Sequence, residues 1–251
     1  MEGTRLGPYR ILAELGSGGM GRVYRAEVAD PVAGLDRGRA VAVKVIHPHL
    51  LETPGYFKRF LREADIGRSI EHENVVRTYD CDALRGDGVQ HHFLVMEYVE
   101  GQTLRDLLEE IERVPEELCR HVGREVSRGL VAIHEAGVVH RDIKPANCLV
   151  DTTGTVKVLD MGLAKFAQDE QSLSAIHKDN VVGTADYLAP EQAINSSKVD
   201  SRADIYGLGG TLYFLLTGHP PFPDGTLTER LLKHQKEEPP SIYATRPDAP
   251  A

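Results

Sequence analysis

Apolar and polar residues alternate along Arg22-Val23-Tyr24-Arg25-Ala26-Glu27-Val28, and a β-branched run follows at Val41-Ala42-Val43-Lys44-Val45-Ile46. Both patterns read as strands, with Pro31 to Arg39 as the turn between them. The period then changes. From Pro54 to Ile70 the residues Phe57, Phe60, Leu61, Ala64 and Ile70 recur at helical spacing, and Thr53-Pro54 supplies an N-cap and a first-turn proline. Phe93-Leu94-Val95-Met96-Glu97-Tyr98-Val99-Glu100-Gly101 is a strand ending in a glycine connector, preceded by a turn read over Gly86 to His92. Further on, helices are expected around Leu118 to Ile133 and from Thr226 to Gln235. Asp204 to Leu216 is apolar on nearly every face, the mark of a helix buried in the centre of a lobe.

Several positions break these patterns in ways that need an explanation. Lys44 lies inside an apolar strand, where a charge is costly to bury without a partner. An exposed edge-strand lysine is the plain alternative. Glu63 shares a helical face with Phe60 and Gly67, so it points inward, away from Lys58, Arg62 and Arg68, and can serve as that partner. Ahead of both, Leu15-Gly16-Ser17-Gly18-Gly19-Met20-Gly21-Arg22-Val23 fits G-x-G-x-x-G-x-V. Missing side chains at Gly16, Gly18 and Gly21 let backbone amides approach phosphate oxygens. The triplet alone suits a flexible hairpin equally well. A strand follows it rather than a helix, which separates it from a dinucleotide-binding loop.

The most specific chemistry lies in His140-Arg141-Asp142-Ile143-Lys144-Pro145-Ala146-Asn147, followed by Asp160-Met161-Gly162 behind the apolar run Val156-Lys157-Val158-Leu159. Phosphoryl transfer from a nucleotide needs one carboxylate to orient a hydroxyl, and an amide and a second carboxylate to hold magnesium on the phosphates. Ala189-Pro190-Glu191 closes the polar stretch that begins at Asp160.

Taken in order over residues 9 to 216, these motifs resemble those of bacterial eukaryotic-like serine/threonine protein kinases. The resemblance implies an α+β, two-lobed fold: an N-lobe over 1–98 with a small antiparallel sheet and one main helix, and a mostly helical C-lobe over 99–251. It implies ATP as co-substrate with magnesium, or manganese in its place. Asp142 would orient and deprotonate the acceptor hydroxyl beside Lys144, and Asn147 and Asp160 would hold the metal. Lys44, paired with Glu63, would hold the phosphates. Leu15, Gly16, Ser17, Gly18 and Gly21 would cover them. Adenine would lie among Val23, Ala42 and Leu149, with Met96 as gatekeeper and backbone groups of Glu97 and Val99 as its hydrogen-bonding partners. Asp204 would brace the catalytic-loop backbone. Lys144 and Thr184 point to protein substrates with serine or threonine acceptors, and self-association would serve autophosphorylation. A non-catalytic pseudokinase is the alternative, opposed by the intact Lys44, Glu63, Asp142, Asn147 and Asp160.

Composition narrows the remaining choices. The chain has 251 residues, 41% hydrophobic and 27% charged, with a net charge of −9, which argues against a general nucleic-acid binder. It contains no apolar run long enough to span a bilayer, and its three scattered cysteines suit a reducing cytoplasm. Three departures from the family pattern stand out. Met161 replaces the usual phenylalanine. Ser172 and Ser174 are the only hydroxyl residues between Asp160 and Thr184, so any activating phosphate is expected there. The chain also stops soon after Arg246-Pro247-Asp248-Ala249-Pro250, without the further helices and the arginine partner for Glu191 that relatives carry. A truncated kinase domain with an uncovered apolar face around Asp204 to Leu216 is the expectation.

Overall fold

Period-two patterning puts Tyr24, Ala26 and Val28 on one face of a strand, and Val41, Val43 and Val45 do the same one strand over. A computed structural model describes residues 2–52, 56–86, 89–111, 114–159, 185–195 and 199–249. In it these residues join Leu6, Tyr9, Ile11, Leu35, Phe93 and Val95 in a single buried cluster. The chain divides into two compact units, Met1–Glu71 with Val76–Val99, and His72–Val75 with Glu100–Ala251.

The first unit is built on β1 (Arg5–Leu6), β2 (Tyr9–Gly18), β3 (Gly21–Val28), β4 (Ala40–Ile46), β5 (Thr78–Gly86) and β6 (Val89–Glu97), with helices α1 (Pro48–Leu51) and α2 (Tyr56–Ser69). Its sheet runs β1-β2-β3-β4-β6-β5 and is antiparallel at every pairing. The expected N-cap at Thr53-Pro54 lies outside the described residues. The turn read over Gly86 to His92 is corrected: β6 begins at Val89, and His92 pairs with Ala83. Its imidazole is buried, edge-on to Phe57 of α2 with ring centres 4.6 Å apart, so the polar letter hid a packed position.

The second unit contains β7 (Gly101–Thr103), α3 (Leu104–Glu110), α4 (Glu116–Glu135), β8 (Cys148–Asp151), β9 (Val156–Val158), α5 (Pro190–Ile194), α6 (Arg202–Thr217) and α7 (Leu227–Lys236). Its small sheet is ordered β7-β8-β9. Helix α6 buries one broad face, with Ala203, Gly207, Leu208, Thr211 and Leu215 on it, while Arg202, Ile205 and Gly209 stay exposed along the other side, so the burial on every side expected from its apolar sequence is met only in part. The chain after α7 returns to the unit through Arg246, itself buried, whose Nη1 donates to the carbonyls of Val114 at 3.1 Å and Leu216 at 3.2 Å.

His72–Val75 belongs to this unit because Asn74 is fully buried within it. Its Nδ2 donates to Glu125 Oε2 and to the Val156 carbonyl, each at 2.8 Å, and its own carbonyl accepts from Val158 N at 2.8 Å. Gly129 of α4 lets the helix come this near, since a Cβ there would stand 2.6 Å from the Asn74 carbonyl oxygen.

The Asn74 amide, and after it the Arg128 charge at 2.9 Å, hold Glu125 below the usual carboxylate range. A depressed carboxylate stabilises the fold above its unfolded pKa and loses that contribution as pH falls through the folded one. Wild type should therefore lose melting temperature steeply as pH drops below about 4, near and under the ordinary glutamate value. Glu125→Gln should start lower at neutral pH and fall less across that window. Parallel melting curves for the two proteins over the pH series would refute the assignment.

Candidate active site

The catalytic-loop candidates are local in sequence, but a long-range contact sets their geometry. Asp204, in the first turn of α6, has no exposed surface. Its Oδ2 accepts from His140 N at 2.8 Å and from His134 Nε2 at 2.7 Å, and its Oδ1 accepts from Arg141 N at 2.6 Å. A buried carboxylate needs donors of this kind. In return it fixes the loop backbone, including Arg141 at φ 65°, a left-handed conformation that costs a non-glycine residue on the order of 1–3 kcal/mol. The Arg141 carbonyl is held as well, by Gln192 Nε2 at 2.9 Å.

From there the loop turns on His140. Its Nε2 donates to the Leu159 carbonyl at 2.7 Å and its Nδ1 accepts from Asp142 N at 3.2 Å, one tautomer satisfying both. Asp142 is thereby aimed at its neighbours. Its Oδ2 takes a hydrogen bond from Asn147 Nδ2 at 2.9 Å and lies 3.0 Å from Lys144 Nζ. The same Nδ2 also donates to the Asp142 carbonyl at 2.8 Å. With its nitrogen committed, the amide oxygen Oδ1 is the atom of Asn147 that could take a cation. The structure thus brings together Asp142, Lys144 and Asn147. Leu149 follows in β8, paired with Thr103 and Lys157.

The first unit carries the phosphate and adenine candidates. Gly18 and Gly21 pair across the exposed β2–β3 hairpin, whose tip is held by His47: its N donates to the Met20 carbonyl at 2.9 Å, and its Nε2 lies 3.1 Å from the Gly18 carbonyl. The three glycines differ in kind. A Cβ on Gly21 would stand 2.0 Å from the Val45 carbonyl oxygen, so close approach of β3 to β4 requires glycine there. Gly16 and Gly18 have nothing within 4 Å of that position and no left-handed φ, so neither packing nor backbone conformation demands them.

Register then aligns the apolar candidates. Val23 pairs with Lys44 and Lys44 with Leu94, while Ala42 pairs with Met96, which places Val23, Ala42, Lys44 and Met96 on the face opposite the buried cluster. Lys44 is 4% exposed on an interior strand, which excludes the edge-strand alternative. Glu97 N donates to the Arg77 carbonyl at 2.8 Å, and Val99 is half-buried in the connector. Leu15 and Ser17 are exposed on the hairpin. Glu63 lies in α2, its side chain outside the described set. Asp160, Met161, Ser172, Ser174 and Thr184 lie outside the described residues. Among the described residues no cluster of three or more His, Cys, Asp or Glu side chains could hold a metal.

Sequence reading missed Gln192 and the ion pair of Asp186 with Arg230 of α7, 2.7 Å long with both side chains largely buried. Burial pushes the Asp186 carboxyl above its usual range, against the pull of Arg230. The only signal in the sequence was a pair of opposite charges, with nothing to connect them.

A family model for the protein kinase domain matches residues 9–248. A Streptomyces coelicolor protein named probable serine/threonine-protein kinase is 39% identical, the match covering 94% of this chain and 34% of that one. Serine/threonine-protein kinase PknB of Mycobacterium leprae is 37% identical over 92% of this chain and 36% of its own. The chain thus spans about a third of the length of these curated relatives. The crystal structure of the Mycobacterium tuberculosis PknI kinase domain superposes with a TM-score of 0.70 at 25% identity, over 99% of this chain and 85% of that one.

Alanine scanning of the hairpin should separate the glycines. Gly21→Ala must displace the Val45 backbone and should lower stability by about 1–3 kcal/mol. Gly16→Ala and Gly18→Ala should change it by no more than about 0.5 kcal/mol. Thermal melting reads the difference. Equal melting temperatures for all three variants would show that β3 can shift freely.

Proposed function

We propose that this chain, which belongs to the protein kinase domain family, transfers the γ-phosphoryl group of ATP to serine and threonine hydroxyls of proteins. The observation that carries the reading is Asp142, held by Lys144 and Asn147 on a loop whose backbone is fixed by the buried Asp204. A carboxylate so oriented can accept the proton of an attacking hydroxyl. The hydroxyl oxygen forms its bond to the γ-phosphorus, the bond from that phosphorus to the β–γ bridging oxygen breaks, and ADP leaves with the electron pair. Lys144, beside Asp142 Oδ2, places a positive charge near the transferring group.

Lys44, supported by Glu63, is assigned to the nucleotide phosphates, and the open backbone over Gly16 and Gly18 suits their close approach. Val23, Ala42 and Met96, aligned on one sheet face, and Leu149 are assigned to adenine, with the backbone of Glu97 and Val99. Asn147 through Oδ1 and Asp160 through its carboxylate would hold magnesium or manganese, a hard cation suited to oxygen donors that neutralises phosphate charge.

Serine and threonine specificity is supported by Lys144 and Thr184 in the sequence and by the names of the relatives. We place the activity in the cytoplasm, a reading supported by three free cysteines, Cys81, Cys119 and Cys148. Among the described residues no helix is long and apolar enough to cross a membrane. A second copy of the chain is a further substrate, with Ser172 and Ser174 as acceptors.

Incubation with labelled ATP and a generic protein substrate, followed by phosphoamino-acid analysis, tests the reading: label should appear on serine or threonine. Asp142→Asn should slow single-turnover transfer by roughly 10²–10⁴-fold, the usual worth of general-base assistance, with ATP affinity within a few-fold. An unchanged rate would refute the role of Asp142. Separately, Asp160→Ala should abolish the magnesium-dependent part of ATP binding in calorimetry. The same affinity as wild type in the presence of magnesium would remove Asp160 from the metal site.

A further inference from the structure

Arg141 is held at both ends of its residue. Its N–H goes to Asp204 Oδ1 at 2.6 Å, and its carbonyl accepts from Gln192 Nε2 at 2.9 Å across 51 positions of sequence. The Gln192 amide is itself fixed, because its Oε1 accepts from Ala189 N at 3.2 Å while its Nε2 donates to Arg141. Oxygen and nitrogen each have a partner of the correct type, so the amide cannot flip without losing both bonds.

The segment presenting Gln192 is anchored on two further elements of the same unit. Asp186 pairs with Arg230 of α7 at 2.7 Å, and Arg230 Nε also donates to the Gly225 carbonyl at 3.2 Å. The Tyr187 ring lies so close to α6 that a Cβ on Gly210 would meet it at 3.2 Å, and it stands edge-on to Phe214 at 6.3 Å. Helix α6 therefore holds the Arg141 N–H directly, through Asp204. It supports the Arg141 carbonyl indirectly, through the segment that carries Gln192. The residue gripped in this way is left-handed at φ 65° and immediately precedes Asp142.

We propose that Gln192 is a positioning residue for phosphoryl transfer: by holding the Arg141 carbonyl it keeps the left-handed Arg141 peptide, and so Asp142, in the reacting orientation. The inference rests on the functional reading above. Without the Gln192 donor the Arg141 carbonyl loses this restraint, Arg141 can relax toward ordinary φ, and a turn there re-aims the carboxylate of the next residue. Glycine at 141 has no such tendency, since it adopts positive φ without steric cost.

Gln192→Glu keeps an oxygen to serve Ala189 N and replaces the donor with a charged acceptor that faces the Arg141 carbonyl. Gln192→Ala removes the donor without adding charge. Single-turnover transfer should fall about tenfold or more in each, as small misplacements of reacting groups do, with the KM for ATP within about twofold. In an Arg141→Gly background the same changes should cost less than about twofold further. Exchange of the Asp142 amide hydrogen, bound to His140 Nδ1 in wild type, should quicken in both single variants. Melting curves establish that each variant is folded at the assay temperature.

An active wild type with unchanged rate and exchange in both variants overturns the proposal. So does an equal fall in the wild-type and Arg141→Gly backgrounds, or a loss expressed in KM rather than turnover. A wild type that transfers no phosphate overturns the functional reading instead, and the catalytic part of this inference with it.

Discussion

Burial of Asp204 sets the terms for the second unit. A carboxylate without solvent contact carries a desolvation penalty of several kcal/mol, on the order expected for any buried ion, unless protein donors replace water. Three do so: His134 Nε2, His140 N and Arg141 N. The dependence runs both ways. Helix α6 can bury Asp204 only with the loop in place, and the loop keeps its shape only with Asp204 beneath it. Gly207, three residues on, completes the fit, because a Cβ there would stand 2.8 Å from the Ile143 carbonyl oxygen. A glycine inside a helix costs about 0.5–1 kcal/mol relative to alanine, and here it allows a close approach of helix to loop.

The first unit solves a different problem with the sheet alone. Its buried cluster takes one face of the antiparallel strands, which leaves Val23, Ala42, Lys44 and Met96 aligned on the other. A one-residue slip of register would exchange the two faces entirely. Packing of Tyr24, Ala26, Val41, Val43 and Val95 therefore determines where Lys44 points, although none of these residues takes part in the proposed chemistry. The core specifies the site by exclusion.

Legibility followed sequence distance. Asp142, Lys144 and Asn147 lie within six consecutive positions, so their spacing carried the chemistry, and the geometry draws them together at 2.9–3.0 Å. Strand and helix periods located the sheet, α4 and α6 for the same reason. Contacts that tie distant segments left no such trace. Gln192 reaches Arg141 across 51 residues, Arg230 reaches Asp186 across 44, and Arg246 reaches Val114 across 132. Each partner on its own looks like an ordinary surface residue. His92 failed differently, because a buried histidine packed on an aromatic ring is spelled like a loop residue. The glycine triplet hid a distinction as well. Its spacing treats Gly16, Gly18 and Gly21 alike, yet only Gly21 is required by the folded chain itself.

That difference separates residues kept for folding from residues kept for another purpose. Gly21 and Gly207 each meet a backbone carbonyl where a methyl group would sit, so the fold accounts for them. Gly16 and Gly18 meet nothing, and a flexible residue in open space only enlarges the entropy lost on ordering the hairpin. Arg141 presents the inverse case: a side chain in a conformation that suits glycine, retained at the point where the loop turns into Asp142. Both departures run against folding stability, and both fall on segments assigned to the same reaction. Strain and openness at positions that packing does not explain single out these two segments, the ones to which the proposed reaction is assigned.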